Sequence, residues 1–144
     1  MPKKTNSQAV KKAASAVAKK EKNIASILLV EDDTFLSSMY KTKLEIEGYQ
    51  VYAALNGESG LKMAQEKKPN LILLDIILPK MNGFEVLEKI KSDKNLKHIP
   101  VIMLTNLGQK EDIKKSFKLG ANEYLIKAHF LPSEVIEKVK KFLK

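Results

Sequence analysis

The 144-residue chain has the length of one ordinary domain, with room to bury a single core and hardly for two. Cysteine is absent, which excludes a disulfide framework and thiolate chemistry and suits a reducing compartment. All 26 basic residues are lysine and the formal net charge is +9. Lysine is a point charge without the planar fork that grips guanine or phosphate bidentately, so the charge does not indicate base-specific nucleic-acid recognition.

Charge and hydropathy divide the chain at Ile24. Residues 1–23 carry seven lysines against the single acid Glu21, about +6 of the total. Val10 and Val17 are the only β-branched apolar residues of this stretch, too little surface to offset the entropy of ordering it, so a disordered basic tail is expected. Val10, Ala13, Ala14 and Val17 share helical spacing, which would allow a fragile helix against a partner or an acidic surface. There is no continuous apolar h-region and no stretch approaching the length of a transmembrane segment, so the chain reads as a soluble cytoplasmic protein. Non-specific attraction to nucleic acid or an acidic surface is the function class that the tail suggests.

From residue 24 the pattern is globular. Residues 27–30 (ILLV) form a short apolar strand that runs into Glu31, Asp32 and Asp33. Asp33 or Thr34 can cap the following helix, whose Leu36, Met39, Tyr40 and Leu44 recur at helical spacing over residues 35–47 before Gly48 stops it. Residues 51–54 are the second strand, Asn56-Gly57 a turn, and Leu61 with Ala64 the apolar side of a helix to about residue 67.

The run starting at Leu71 is apolar on both faces and bounded by Pro69 and Pro79. It reads as a buried strand delivering Asp75 to its far end. A helix over 83–92 follows, then a strand over 101–104 ending at Thr105, a helix over 112–119, a strand over 124–126 ending at Lys127, and a last helix over 132–143.

Strands and helices alternating through short connections imply an α/β fold, a doubly wound five-stranded parallel sheet with helices on both faces. The common strand order 2-1-3-4-5 places strands one and three side by side at the topological switch point, where ligands bind beyond the carboxyl ends. Glu31, Asp32, Asp75, Thr105 and Lys127 all fall at those ends. Carboxylates crowded there repel one another unless a cation is present, and an oxygen-only set without His or Cys points to Mg²⁺. A carboxylate nucleophile, a fixed positive charge and a hydroxyl are the equipment of aspartyl-phosphate chemistry, which relies on positioning and charge stabilisation rather than on a general base.

In their order and spacing these residues resemble the receiver domain of two-component response regulators, a flavodoxin-like fold. The resemblance covers residues 24–144. It rests on 28–33 (LLVEDD), on Asp75 within 74–83 (LDIILPKMNG), on Thr105 ending strand four, and on Lys127 three residues after Tyr124. It implies Asp75 as phospho-acceptor and Asp32, Asp75 and the Ile77 backbone carbonyl as Mg²⁺ ligands, with Glu31 acting through water. Lys127 and Thr105 would stabilise the phosphoryl group, and Tyr124 occupies the aromatic switch position.

The implied donor is a histidine kinase or phosphotransfer protein. The implied readout is a protein partner on the face of helix four, strand five and helix five. Two departures stand out. Ala128 follows Lys127 where the family has a proline in a cis peptide. Since cis before a non-proline residue costs about 2.5–4 kcal/mol, either that strain is held or the loop runs trans. Asn106 replaces a small residue and would narrow the site. His98 and His129 lie in loops without a ligand partner and read as surface residues. A stand-alone phospho-accepting receiver is therefore the expected function. The alternatives are a phosphorylation-independent receiver-like interaction module and a protein directed by its basic tail.

Overall fold

The structure, a computed structural model, describes residues 24–144. The expected basic tail at residues 1–23, with its proposed acidic contacts, lies outside the described residues. Among the described residues five strands alternate with five α-helices: β1 (Ser26–Val30), α1 (Thr34–Ile46), β2 (Gln50–Ala54), α2 (Gly57–Lys67), β3 (Leu71–Leu74), α3 (Gly83–Ser92), β4 (Val101–Thr105), α4 (Lys110–Lys118), β5 (Glu123–Ile126) and α5 (Pro132–Phe142). The strands form one parallel sheet in the order β2-β1-β3-β4-β5, as the alternation of elements requires.

The sheet is buried on both sides because its inner strands have no polar face. In β3, Leu71 and Leu73 enter one core with Ile27 and Leu29 of β1, against Tyr40 and Leu44 of α1 and Val135, Ile136 and Val139 of α5. Ile72 and Leu74 point the other way, joining Leu28 and Val30 against Ala64 of α2 and Val86, Leu87 and Ile90 of α3. Successive residues of a strand face opposite sides, so an uninterrupted Leu/Ile run is what a sheet covered by helices twice over demands.

Short side chains set where the helices begin. The Asp33 carboxylate accepts from the Leu36 amide at 3.0 Å, the Asn56 carbonyl from Ser59 at 2.8 Å and the Asn82 carbonyl from Glu85 at 3.0 Å. Asn56 is therefore a helix cap rather than part of a free turn, and α2 starts at Gly57. No side chain caps α4, which starts at Lys110, two residues ahead of the sequence expectation, as the Gln109 carbonyl takes the amides of Asp112 and Ile113.

The helix α4 is lightly attached. Ile113 and Leu119 pack partly on the core, while the fully buried Ser116 turns its hydroxyl to its own helix at the Asp112 carbonyl, 2.9 Å away. Lys91 ties the connection between α3 and β4 to the chain beyond α4. Its ammonium donates to the carbonyls of Ile99 at 2.8 Å and Lys97 at 3.1 Å and to the Asn122 side chain at 3.2 Å. Burial pulls the Lys91 ammonium below the usual lysine value. Among the described residues no helix is long and apolar enough to cross a membrane.

One local conformation invites a measurement. The C-terminal cap of α2 is Lys68, whose φ of 44° and ψ of 63° are left-handed, a region that costs a residue with a Cβ about 1–2 kcal/mol. Part of that cost is offset by the extra chain entropy glycine brings to the unfolded state, so Lys68→Gly is expected to add about 0.5–1 kcal/mol. The check is a higher urea midpoint with an unchanged m-value.

Candidate functional site

The sheet brings the polar residues to one edge. Glu31 is the first residue after β1, Asp75 the first after β3, Thr105 the last of β4 and Lys127 the first after β5. Ladder hydrogen bonds continue to both acids: the Glu31 amide donates to the Ala54 carbonyl at 3.0 Å and the Asp75 amide to the Val30 carbonyl at 3.1 Å. The two carboxyl-bearing residues therefore leave adjacent strands at the same level. With Asp32, Asp33, Leu36, Ile77, Asn106 and Leu107 they line an open cleft of about 320 Å³.

Both acids are buried, Glu31 at 2% and Asp75 at 6% exposure, and the Lys127 ammonium lies between them. It donates to Asp75 Oδ2 at 2.7 Å and to Glu31 Oε1. The other carboxylate oxygens turn to backbone. Asp75 Oδ1 accepts from the amides of Ile76 at 2.7 Å and Ile77 at 3.3 Å, and Glu31 Oε2 accepts from the Asp33 amide at 3.1 Å. Burial dominates at Glu31 and pushes its carboxyl above the usual value in spite of Lys127. At Lys127 burial acts to lower the ammonium, yet Asp75 and Glu31 together outweigh it and leave it above the usual lysine value.

Lys127 itself begins a short 3₁₀ turn, Lys127–His129, and no cis peptide bond occurs among the described residues, so Lys127–Ala128 is trans. Of the two courses open to the sequence the loop takes the trans one. Asp33, besides capping α1, touches Glu31 through its amide, and its carboxylate is engaged by Leu36.

Thr105 is fully buried at the cleft floor, where its hydroxyl oxygen accepts from the Leu107 amide at 3.4 Å. The Leu107 carbonyl in turn accepts from the Tyr124 hydroxyl at 2.5 Å, holding that ring inward at 8% exposure. Burial, then the charges of Asp112 and Asp75, push the Tyr124 phenol up to about 12. Leu107 thus links the threonine and the tyrosine through its backbone. Sequence reasoning passed over it, because a leucine acting through its amide and carbonyl leaves no mark in residue type.

The acids also have the donor chemistry of a cation cradle. Glu31, Asp32 and Asp75 each bring one carboxylate oxygen into a group whose members lie within 4.8 Å of one another. Oxygen donors alone, open to water at the exposed Asp32, fit a hard divalent ion such as Mg²⁺, which keeps part of its water shell. His and Cys, which would favour a softer metal, do not line the cleft.

The sequence matches the response regulator receiver domain family over residues 27–140. The chain belongs to that family, whose members are phospho-accepting signalling domains that generally use Mg²⁺ at the acidic site. It is 39% identical over 118 residues to the DNA-binding dual master transcriptional regulator RpaA of Synechocystis, covering 82% of this chain and 48% of that protein. The chain spans about half the length of the curated relatives it matches.

Among solved structures it resembles a CheY-like receiver domain protein of Methanospirillum hungatei, with 36% identity and a TM-score of 0.79. That match covers 84% of this chain and 94% of that one. It also resembles the Mn²⁺-bound form of the response regulator Rcp1, with 32% identity and a TM-score of 0.73, covering 83% and 94% of the two chains.

A stability experiment follows from the burial of Glu31. Because its folded-state pKa lies above the unfolded value, the charged form is disfavoured by folding, and that penalty is absent below the usual carboxyl value and grows as pH rises through the folded pKa. With divalent ions chelated, Glu31→Gln is expected to be more stable than wild type at pH 7. The two should converge on acidification toward the ordinary carboxyl value, as urea melts across pH will show.

Proposed function

We propose that this receiver accepts a phosphoryl group on Asp75 from a histidine kinase or phosphotransfer protein, in a Mg²⁺-dependent reaction, and signals by a phosphorylation-dependent contact with another protein. The observation that carries this reading is the engagement of the Asp75 carboxylate on both oxygens, by two backbone amides on one side and the Lys127 ammonium on the other, at the floor of an acid-lined cleft. That carboxylate is fixed in plane and direction before any donor arrives, which is what phosphoryl transfer most needs.

In the reaction an Asp75 oxygen attacks phosphorus as the bond from phosphorus to the donor's imidazole nitrogen breaks, and the departing imidazole keeps that electron pair. Asp32, Asp75 and the Ile77 carbonyl would hold Mg²⁺, with Glu31 acting through water. The ion when bound neutralises charge on the phosphoryl oxygens. Lys127 shifts its ammonium from carboxylate to phosphoryl oxygen, and the Thr105 hydroxyl, released from the Leu107 amide, donates to another. Asn106, exposed at the rim, narrows the approach.

The phosphoryl group brings about −1.5 to −2 charge where the carboxylate carried a single one, which is enough to bias a local two-state element. Thr105 and Tyr124 both bond Leu107, so the bias reaches the loop before α4 and the face formed by α4, β5 and α5. That face is the proposed partner surface. The relatives named as transcriptional regulators share with this chain about half of their length, and the DNA binding in RpaA's name is no part of this proposal.

Incubation with a small-molecule phosphodonor and Mg²⁺ is expected to add one phosphoryl group by intact-protein mass spectrometry, absent in Asp75→Ala and when the metal is chelated. A wild-type chain that stays unmodified where an ordinary receiver is labelled would move the reading to a phosphorylation-independent interaction module.

A further inference from the structure

The loop from Asp75 to Gly83 carries both the acceptor and the Ile77 carbonyl, and it is gripped at two places where no side chain fits. At its end, the Gly83 amide donates to the Ile76 carbonyl at 2.8 Å, and a Cβ on Gly83 would lie 2.2 Å from the Asp75 carbonyl oxygen. The second grip comes from outside the loop. The amide of Gly57, the first residue of α2, donates to the Pro79 carbonyl at 3.2 Å, and the Met81 amide donates to that same carbonyl at 2.7 Å. A Cβ on Gly57 would lie 1.7 Å from the Met81 carbonyl oxygen and 2.6 Å from its carbonyl carbon.

These are contacts with backbone, which cannot turn aside as a flexible side chain can. A methyl group at position 57 must displace either the start of α2 or the loop. The start of α2 is held by the Asn56 side chain on the Ser59 amide at 2.8 Å and by Gly60 against the Val30 side chain. The loop has the softer support: it already contains Lys80 at a φ of 69°, and Ile77 is exposed at the cleft rim. Displacement therefore falls on the loop.

We infer that Gly57 is a positioning residue for the cation site: through Met81, the start of α2 sets the height at which the loop presents the Ile77 carbonyl beside Glu31, Asp32 and Asp75. The inference rests on the proposed Mg²⁺-dependent phosphorylation. It adds that a residue outside the cleft tunes the affinity for the ion while leaving the acceptor's own chemistry in place.

The test is Mg²⁺ binding by calorimetry on the full chain, paired with phosphorylation rates over a Mg²⁺ series. Gly57→Ala is expected to raise the half-saturating Mg²⁺ by about tenfold or more, the range seen when supports of metal ligands are lost, with the rate largely restored at saturating Mg²⁺. Val139→Ala, a cavity in the α5 packing, should lower stability and leave the half-saturating Mg²⁺ unchanged. Should Gly57→Ala fail to fold, Asn56→Ala loosens the same helix start without adding a Cβ, and a smaller rise in half-saturating Mg²⁺ is expected.

Unchanged Mg²⁺ affinity in the folded variant would overturn the inference, as would an equal rise in Val139→Ala. Calorimetry on the wild type keeps the two ideas separate. A chain that binds Mg²⁺ and takes no phosphoryl group sinks the functional reading alone, whereas one phosphorylated with the same Mg²⁺ dependence in Gly57→Ala sinks only the positioning role.

Discussion

Two carboxylates are buried within reach of one ammonium, and the rest of the molecule depends on that arrangement. Glu31 and Asp75 leave neighbouring strands of a sheet with no polar face, and Lys127 reaches them from the end of β5. Removing Lys127 would strand two buried carboxylates without a counter-charge, which costs several kcal/mol, about 3–5 in buried pairs elsewhere. The strand order is what makes it possible. It sets β1 beside β3 and leaves β4 to bring Thr105 under the gap that the lysine side chain crosses.

The group is stable enough to fold and poised enough to change. Lys127 serves two carboxylates at once, so a phosphoryl group or a divalent ion arriving at the cleft, as proposed, would redistribute partners already in place. Thr105 and Tyr124 each sit one hydrogen bond from Leu107, Thr105 at its amide and Tyr124 at its carbonyl. Two hydrogen bonds thus run from Thr105 at the cleft floor through Leu107, in the connection that leads into α4, to Tyr124 on β5.

Much of this could be read from residue types. The β3 run announces a strand covered on both faces, and the acids, threonine and lysine each follow an apolar run, which places them at one edge once the order of strands is assumed. Asp33 reads as a cap and serves as one. What could not be read is carried by backbone. Leu107 works through its amide and carbonyl, Gly57 through the side chain it lacks, and the start of α4 through the Gln109 carbonyl rather than a capping side chain. The trans course at Lys127–Ala128 is likewise a matter of backbone path, and the sequence left both courses open.

The uneven fastening of α4 has its own consequence. Beyond its C-terminal end the Asn122 side chain is tied to the Lys91 ammonium and the Val101 amide, whereas its N-terminal end has no side-chain cap and the hydroxyl of the serine buried in its middle turn bonds only its own helix. Such an element would act as a lever held at the far end, its near end opening at a fraction of the free energy needed to unfold the sheet. The amides of its first turns would then exchange with solvent through local opening, while those of β3 wait for global unfolding. The face proposed above for a partner would then include the most readily reshaped part of the domain.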